Sequence, residues 1–380
     1  AATVQASVSN ANGNGATASH AYSVDTLAPT VTINTLSGDD ILNATEAQSA
    51  LVISGTSTAE AGQTLMVSLN GRTYTATTGT DGTWSLSVPS TDLSALTAGS
   101  YTVTATVNDK AGNPASATHG LAVDTTVPVI IIGVIAGDDV INAAEHGQAL
   151  VISGTTTGAA TGDVLTVSLN GKTYTTTLDA SGNWSVGVPA GDVTVLGSGS
   201  QTITATLTDR AGNSDSATRD ISVSLDAPIV SVGIVAVDDF INSTEKTQDL
   251  TIRGNSTGLA AGTRVTVTLN SLNYTGTTDA SGNWSVTVPA ADVGQLGEAV
   301  YQITATATNS AGNSGSTTHT VEVESELPGV IVNPVATDDI INAAEAGADQ
   351  TVSGRVTGAA SGDTVTVSLG GKTYTTTVQA

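Results

Sequence analysis

Residues 164–189, VLTVSLNGKTYTTTLDASGNWSVGVP, decide the fold. Apolar and small polar residues alternate with period two, the spacing of a strand with one buried face. In VLTVSLN, Val164, Leu165, Val167 and Leu169 are available to a core. Asn170-Gly171 then interrupts the alternation. Asn-Gly between two such runs marks a tight hairpin, because both central residues need positive φ. DASGN turns the chain again into WSVGVP, where Trp184, Val186 and Val188 share one face. An indole in strict alternation with valines reads as a core anchor rather than a ligand platform.

Outward from this stretch the pattern continues. PVIIIGV (128–134) and ALVISG (149–154) precede it, and SQTITATLTD (200–209) and SATRDISVS (216–224) follow, with turn residues between. Counting both arms of the hairpin, the reading gives seven strands in a length of about 100 residues, which fits an immunoglobulin-like β-sandwich.

The same text recurs along the chain. Trp84, Trp184 and Trp284 stand 100 residues apart, as do Tyr74, Tyr174, Tyr274 and Tyr374. A period of this length is the size of a domain rather than of a solenoid unit. Prolines 29, 128, 228 and 328 mark the boundaries. The expected organisation is all-β, a tandem array of seven-stranded immunoglobulin-like β-sandwich domains. Residues 1–27 are the last strands of one repeat, 28–126, 127–226 and 227–326 are whole repeats, and 327–380 open a further one. The natural polypeptide is expected to continue on both sides.

Composition narrows the function. There is no cysteine, so disulfides and thiolate metal sites are excluded. Ten basic against 34 acidic side chains leave a net charge of −24. Such a chain repels nucleic acid and anionic lipid and attracts divalent cations. No segment approaches the roughly 20 apolar residues of a membrane-spanning helix. Catalytic signals are missing. The four histidines are His20, His119, His146 and His319. His119 and His319 hold equivalent places, yet Arg219 stands there in the middle repeat. Asn-x-Ser/Thr triplets such as Asn183-Trp-Ser are expected by chance in a threonine-rich chain.

The densest polar motif is GDDVINAAE (137–145), with equivalents GDDILNATE from Gly38, VDDFINSTE from Val237 and TDDIINAAE from Thr337. Asn142 and Glu145 read as a capping box on a single helical turn, as do Asn43/Glu46, Asn242/Glu245 and Asn342/Glu345. The adjacent carboxylates Asp39-Asp40, Asp138-Asp139, Asp238-Asp239 and Asp338-Asp339 need another account. Two readings stand: a solvated turn, or hard oxygen ligands for calcium.

A second acidic set lies at the linkers, at Asp25, Asp124 and Asp226, with Glu324 and Glu326 in the last. The loop between the last two strands carries Asp109 and Asn113, Asp209 and Asn213, and Asn309 and Asn313. In an immunoglobulin-like sandwich that loop faces the preceding linker. Asp25 should therefore approach Asp109, and Asp124 should approach Asp209. Either a shared cation or a plain Asp-x-Ala-Gly-Asn turn accounts for this set. The junction with Asn309 should bind a cation more weakly. Asp92, Asp192 and Asp292 read as caps of a short turn.

The combination of DD-x-INAAE, LNGKTYT, SGNWSV-x-VPA, ITATATN-x-AGN and VDTTVP resembles the bacterial Ig-like repeats of giant Gram-negative adhesins and biofilm-associated proteins. The resemblance covers the whole chain. It implies secretion by a type I system, residence at the bacterial cell surface, and Ca2+ bound within and between domains at the paired aspartates and at the acids of the linkers and of the loop between the last two strands. It implies a stalk whose partners are neighbouring repeats of the same chain, with a host-cell or sister-cell surface reached through a distal tip. The alternative is a module that itself binds a host glycan or protein, for which exposed aromatic residues are scarce.

Overall fold

The computed structural model describes residues 1–380. They fall into two compact bodies, residues 1–140 with 147–223, and residues 141–146 with 224–380.

The first body opens with a hairpin of β1 (Ala2–Ser9) and β2 (Gly15–Tyr22). The next elements are β3 (Ile41–Leu42), β4 (Leu51–Thr56), β5 (Thr64–Leu69), β6 (Arg72–Thr77), β7 (Thr83–Val88), α1 (Ser90–Leu93), β8 (Gly99–Asn108) and β9 (Pro114–Val123). One sheet has the order β3-β9-β8-β5-β6, and β4 pairs with β7 in the other. Residues 30–34 lie along β4, with Thr32 N–H on Thr56 O and Asn34 N–H on Ser54 O, both at 2.8 Å. Inner faces of the two sheets meet in a core that includes Ile53, Leu65, Val67, Trp84, Val103 and Leu121. In residues 127–223, Val129–Ile132, Leu150–Thr157 and Asn183–Val188 form the smaller sheet. In the second body, Ile229–Val232, Leu250–Thr257 and Asn283–Val288 do the same.

The sandwich has one strand more than the sequence suggests. The first strand runs along the smaller sheet and then crosses to the larger one. There Ile41 and Leu42 pair in parallel with Ala122 and Val123, and Phe240 and Ile241 pair with Glu322 and Val323. The crossing needs left-handed backbone at Ser37, Gly38 and Asp40, with φ of 51°, 97° and 67°. A two-residue strand carries no alternation that a reader could see. Val164 also departs from expectation: it points outward, while Leu165, Val167 and Leu169 are buried. Leu165 opens the buried alternation, and the period of two excludes its neighbour.

The tryptophans are buried as their alternation requires, each 2–3% exposed. Every indole lies against a glycine of the facing strand. A Cβ on Gly154 would stand 2.5 Å from Trp184 and 2.0 Å from Ile131 O, and Gly55 and Gly254 are as tightly enclosed. Gly55, Gly154 and Gly254 therefore each leave a slot for the ring. Trp84 and Trp284 donate from Nε1 to Thr56 O and Asn255 O, both at 3.3 Å. Trp184 Nε1 is buried without a partner. Beyond the core, Tyr101 Oη bonds the backbone of Thr97, and Tyr301 Oη that of Gly297. This is the tyrosine corner of immunoglobulin-like sandwiches. Gln201 replaces the tyrosine between them, donating to Gly197 O at 3.1 Å.

Asp92, Asp192 and Asp292 do not cap their turns, which begin at proline with no side-chain cap. They accept a hydrogen bond from Tyr74, Tyr174 and Tyr274 at 2.8, 2.9 and 3.0 Å. Arg72 and Lys172 add ion pairs to the first two. The tie fixes the edge hairpin to the turn after the tryptophan strand. Burial, and then the hydrogen bond to the carboxylate, push the Tyr174 and Tyr274 phenols up to about 12.

Four substitutions have expected outcomes. Trp184→Ala should destabilise its repeat by about 3–5 kcal/mol, and Gly154→Ala by about 2 kcal/mol or more, since backbone must move, both read from denaturant midpoints. Val237 sits at φ 79°, is 89% exposed, and stands where the earlier repeats have Gly38 and Gly137. A β-branched residue is strained there, so Val237→Gly should stabilise by about 1 kcal/mol after the added unfolded-state entropy is deducted. Because folding raises the tyrosine pKa, that contribution is whole below pH about 10 and disappears as pH rises through about 12. Tyr174→Phe should flatten this loss in alkaline melts, and at neutral pH should cost about 1 kcal/mol, given the partial exposure of the tie.

Candidate metal sites and the repeat junctions

The paired aspartates occupy the crossing between sheets and take different directions. The first member closes a local turn. Asp39, Asp138, Asp238 and Asp338 accept the N–H of Ile41, Val140, Phe240 and Ile340 through Oδ1, at 3.0–3.1 Å. The second member has left-handed φ, between 61° and 67° at Asp40, Asp139, Asp239 and Asp339. Its carboxylate reaches back to the N–H four residues earlier, on Leu36, Ile135, Val235 and Val335.

That second carboxylate also has a basic neighbour in three copies. His119 Nε2 lies 2.7 Å from Asp40 Oδ1, and His319 Nε2 lies 2.7 Å from Asp239 Oδ1. Arg219 forks onto both oxygens of Asp139 and reaches Ile132 O at 3.0 Å. The Leu36 N–H and then His119 hold the Asp40 carboxyl below its ordinary value. Arg219 does most of this for Asp139, and His319 for Asp239. Adjacent carboxylates therefore need no ion between them to coexist. His119, His319 and Arg219 are interchangeable anchors of the crossing.

The capping boxes form as expected. Asn43 Oδ1 accepts Thr45 and Glu46 N–H at 3.0 and 2.9 Å, and Glu46 Oε2 accepts Asn43 N–H at 3.0 Å. Asn142/Glu145, Asn242/Glu245 and Asn342/Glu345 repeat the exchange.

At the linker of the first body, Asp124 and Asp209 line one depression of about 380 Å³ together with Thr126, Asp163 and Arg210. Asp209 Oδ1 accepts the N–H groups of Ala211 and Asn213 at 2.9 and 2.8 Å. Asp163 is buried, accepts Ala160 N–H at 2.8 Å, and faces Arg210 Nε at 3.4 Å. Asp109 repeats the loop geometry of Asp209, and its carboxyl is lowered chiefly by the Asn113 amide. Asp25 meets this loop through its carbonyl, which accepts Asn113 Nδ2 at 3.3 Å. No group of three or more His, Cys, Asp or Glu side chains converges as a ready metal cluster.

Asp226 does not share the register of Asp25 and Asp124. Asn213 Nδ2 donates to Asp124 O at 3.0 Å, and the equivalent Asn313 Nδ2 donates to Ser224 O at 2.7 Å. Ser224 thus holds the Asp124 position, and Asp226 lies two residues later, its carbonyl accepting Asn309 Nδ2 at 3.0 Å. The substitution of Asn for Asp at 309 comes with this new bond. The loop asparagines proved more central than the acids around them. Asn213 and Asn313 are 4% and 5% exposed, and they bond the turns of residues 43–46 and 142–145. The signal was present in AGN, which stays constant while the preceding acid changes.

A family model described as a bacterial Ig-like domain matches residues 28–125. A Ca2+-stabilised adhesin with which an Antarctic bacterium reaches out and binds ice is 38% identical, over 92% of this chain and 88% of that one, with a TM-score of 0.40. A 1.5-MDa bacterial ice-binding adhesin is 30% identical over 78% of this chain and 98% of that one, at a TM-score of 0.41. A single bacterial immunoglobulin-like domain of the M. primoryensis ice-binding adhesin is 38% identical over 27% of this chain and the whole of that one, at a TM-score of 0.23. A search of curated proteins returns no match. On these sequence identities, the chain belongs to the bacterial Ig-like domain family, as tandem repeats of the kind found in large bacterial adhesins.

Proposed function

We propose that this chain is a calcium-stiffened stalk segment of a large repetitive surface adhesin. It is secreted, stays at the bacterial cell surface, and holds a distal adhesive tip away from the cell for adhesion or biofilm formation. The observation that carries this reading is the 38% identity to a Ca2+-stabilised adhesin, which runs along 92% of the chain and so reaches each of the three whole repeats.

The residues fit calcium best at the linker of the first body. Asp124 and Asp209 bring carboxylates from two repeats to one depression, and carboxylates and carbonyls are the oxygen ligands this ion takes. Asp25 and Asp109 form the corresponding set one repeat earlier. Asp226 and Asn309 offer one carboxylate fewer, and this junction should bind more weakly. At the crossings, Asp39, Asp138, Asp238 and Asp338 are the available members. Their neighbours Asp40 and Asp239 are already hydrogen-bonded to His119 and His319, and Asp139 is ion-paired to Arg219.

Catalysis forms no part of this role. The one repeated histidine position is occupied by an aspartate contact in two repeats and by Arg219 in the other. An arginine there cannot serve as a base, because it stays protonated.

The test is a calcium titration of the chain followed by melting and small-angle scattering. Extracellular calcium modules bind at about 10⁻⁴–10⁻³ M, and a ligand of the folded state raises its melting temperature. Chelation should lower the melting temperature and shorten the maximum dimension. Asp124→Asn with Asp209→Asn should remove the calcium response of that junction alone. Equal stability and equal dimension with and without calcium would sink the reading.

A further inference from the structure

We propose that Asn213 is the positioning residue of a metal-independent joint between consecutive repeats, seated in a notch made by the turn and linker of the repeat before it. The proposal goes beyond the calcium reading and does not depend on it.

The notch is defined by what the capping box leaves over. Within the turn, Asn43 N–H is taken by Glu46, and Thr45 and Glu46 N–H are taken by Asn43 Oδ1. Ala44 N–H receives its acceptor from 169 residues away, from Asn213 Oδ1 at 2.8 Å. The other end of the same amide donates to Asp124 O at 3.0 Å and to Asp209 Oδ2 at 3.0 Å. One planar group thus bonds the turn of residues 43–46, the linker and its own loop. Asn213 is 4% exposed, so water competes little for these bonds.

Fit supports the same conclusion. Gly212 has φ 87°, and a Cβ there would come within 3.3 Å of Asn43 Nδ2. The arrangement is repeated independently in the second body. There Asn313 accepts Ala143 N–H at 2.8 Å and donates to Ser224 O at 2.7 Å. A Cβ on Gly312 would stand 3.0 Å from Asn142 Nδ2. The partner that fits the notch is the Ala-Gly-Asn loop of a following repeat. Aspartate would keep the acceptor but lose the donor, and it would bring a charge against a carbonyl oxygen.

Hydrogen exchange of the full chain in EDTA tests the joint from both sides. Asn213→Ala should speed exchange in the segment spanning residues 43–49 at least tenfold. Ala44→Pro removes the donor at a position where a helical turn accepts proline, and it should speed exchange in residues 208–214 by a similar factor. Segments carrying Trp84 and Trp184 should stay protected in both. If Asn213→Ala also exposes the Trp184 segment, Ala44→Pro decides, because it leaves the loop itself intact. Unchanged exchange across the joint in Ala44→Pro overturns the proposal. So does wild-type protection of these segments that arises only when calcium is added. Failure of the calcium reading looks different: a joint protected in EDTA with no response to the ion.

Discussion

The hydrogen bond from Leu36 N–H to Asp40 Oδ1, with its equivalents in the later repeats, closes the bend on which the rest of each repeat depends. A strand that serves both sheets must leave one, turn over the end of the core and join the other. The bend leaves backbone N–H groups without ladder partners, and burying them unpaired would be costly. A short acceptor at a left-handed position solves both problems, since aspartate tolerates that backbone better than most residues. The histidine or arginine of the last strand then hydrogen-bonds the carboxylate and ties it to that strand. Once the bend is closed, Leu36 and Leu42 drop into the core from either side of it.

The same bend sets what the repeat presents to its neighbour. The parallel pairing of two residues delivers the chain into a single helical turn, whose box satisfies all but one of the first donors. The loop of the next repeat satisfies the remaining one. A local folding requirement thus generates an interaction surface at no extra cost in residues. This explains why DD-x-INAAE is the densest polar stretch although it holds no ready-made ion site. The motif is dense because three tasks share nine residues: the bend, the turn and the joint.

Much of this was legible in the sequence, and the limits have physical causes. Period two placed the long strands, Asn-Gly placed the hairpins, and the tryptophans declared the core. The parallel two-residue strand was invisible because its partner is chosen by topology rather than by local pattern. Asp92, Asp192 and Asp292 were misread as caps because their true partner, a tyrosine 18 residues earlier, lies on another strand. Asp226 was misaligned because charge was matched instead of distance from the linker proline. The AGN asparagines were visible but looked sufficient as turn residues. Only the facing repeat shows that their side chains point out of the loop.

Two kinds of adhesion between repeats follow from these chemistries, and they respond to different variables. The acids of the linkers carry a charge that must be offset, so their contribution depends on salt and on divalent ions. The buried amides are neutral and satisfied at both ends, so theirs does not. A joint held by carboxylates alone would come apart wherever calcium is scarce, with the net charge of −24 driving it open. A joint held by the amide alone would be set once and would not answer to the surroundings. On the proposed reading, the asparagine fixes the register of one repeat on the next, and a calcium ion would determine how firmly that register is kept. The acid can then vary between repeats, as it does at Asn309, while the Gly-Asn pair cannot. Loss of a carboxylate weakens a response, whereas loss of the amide leaves a backbone donor unpaired in a buried notch.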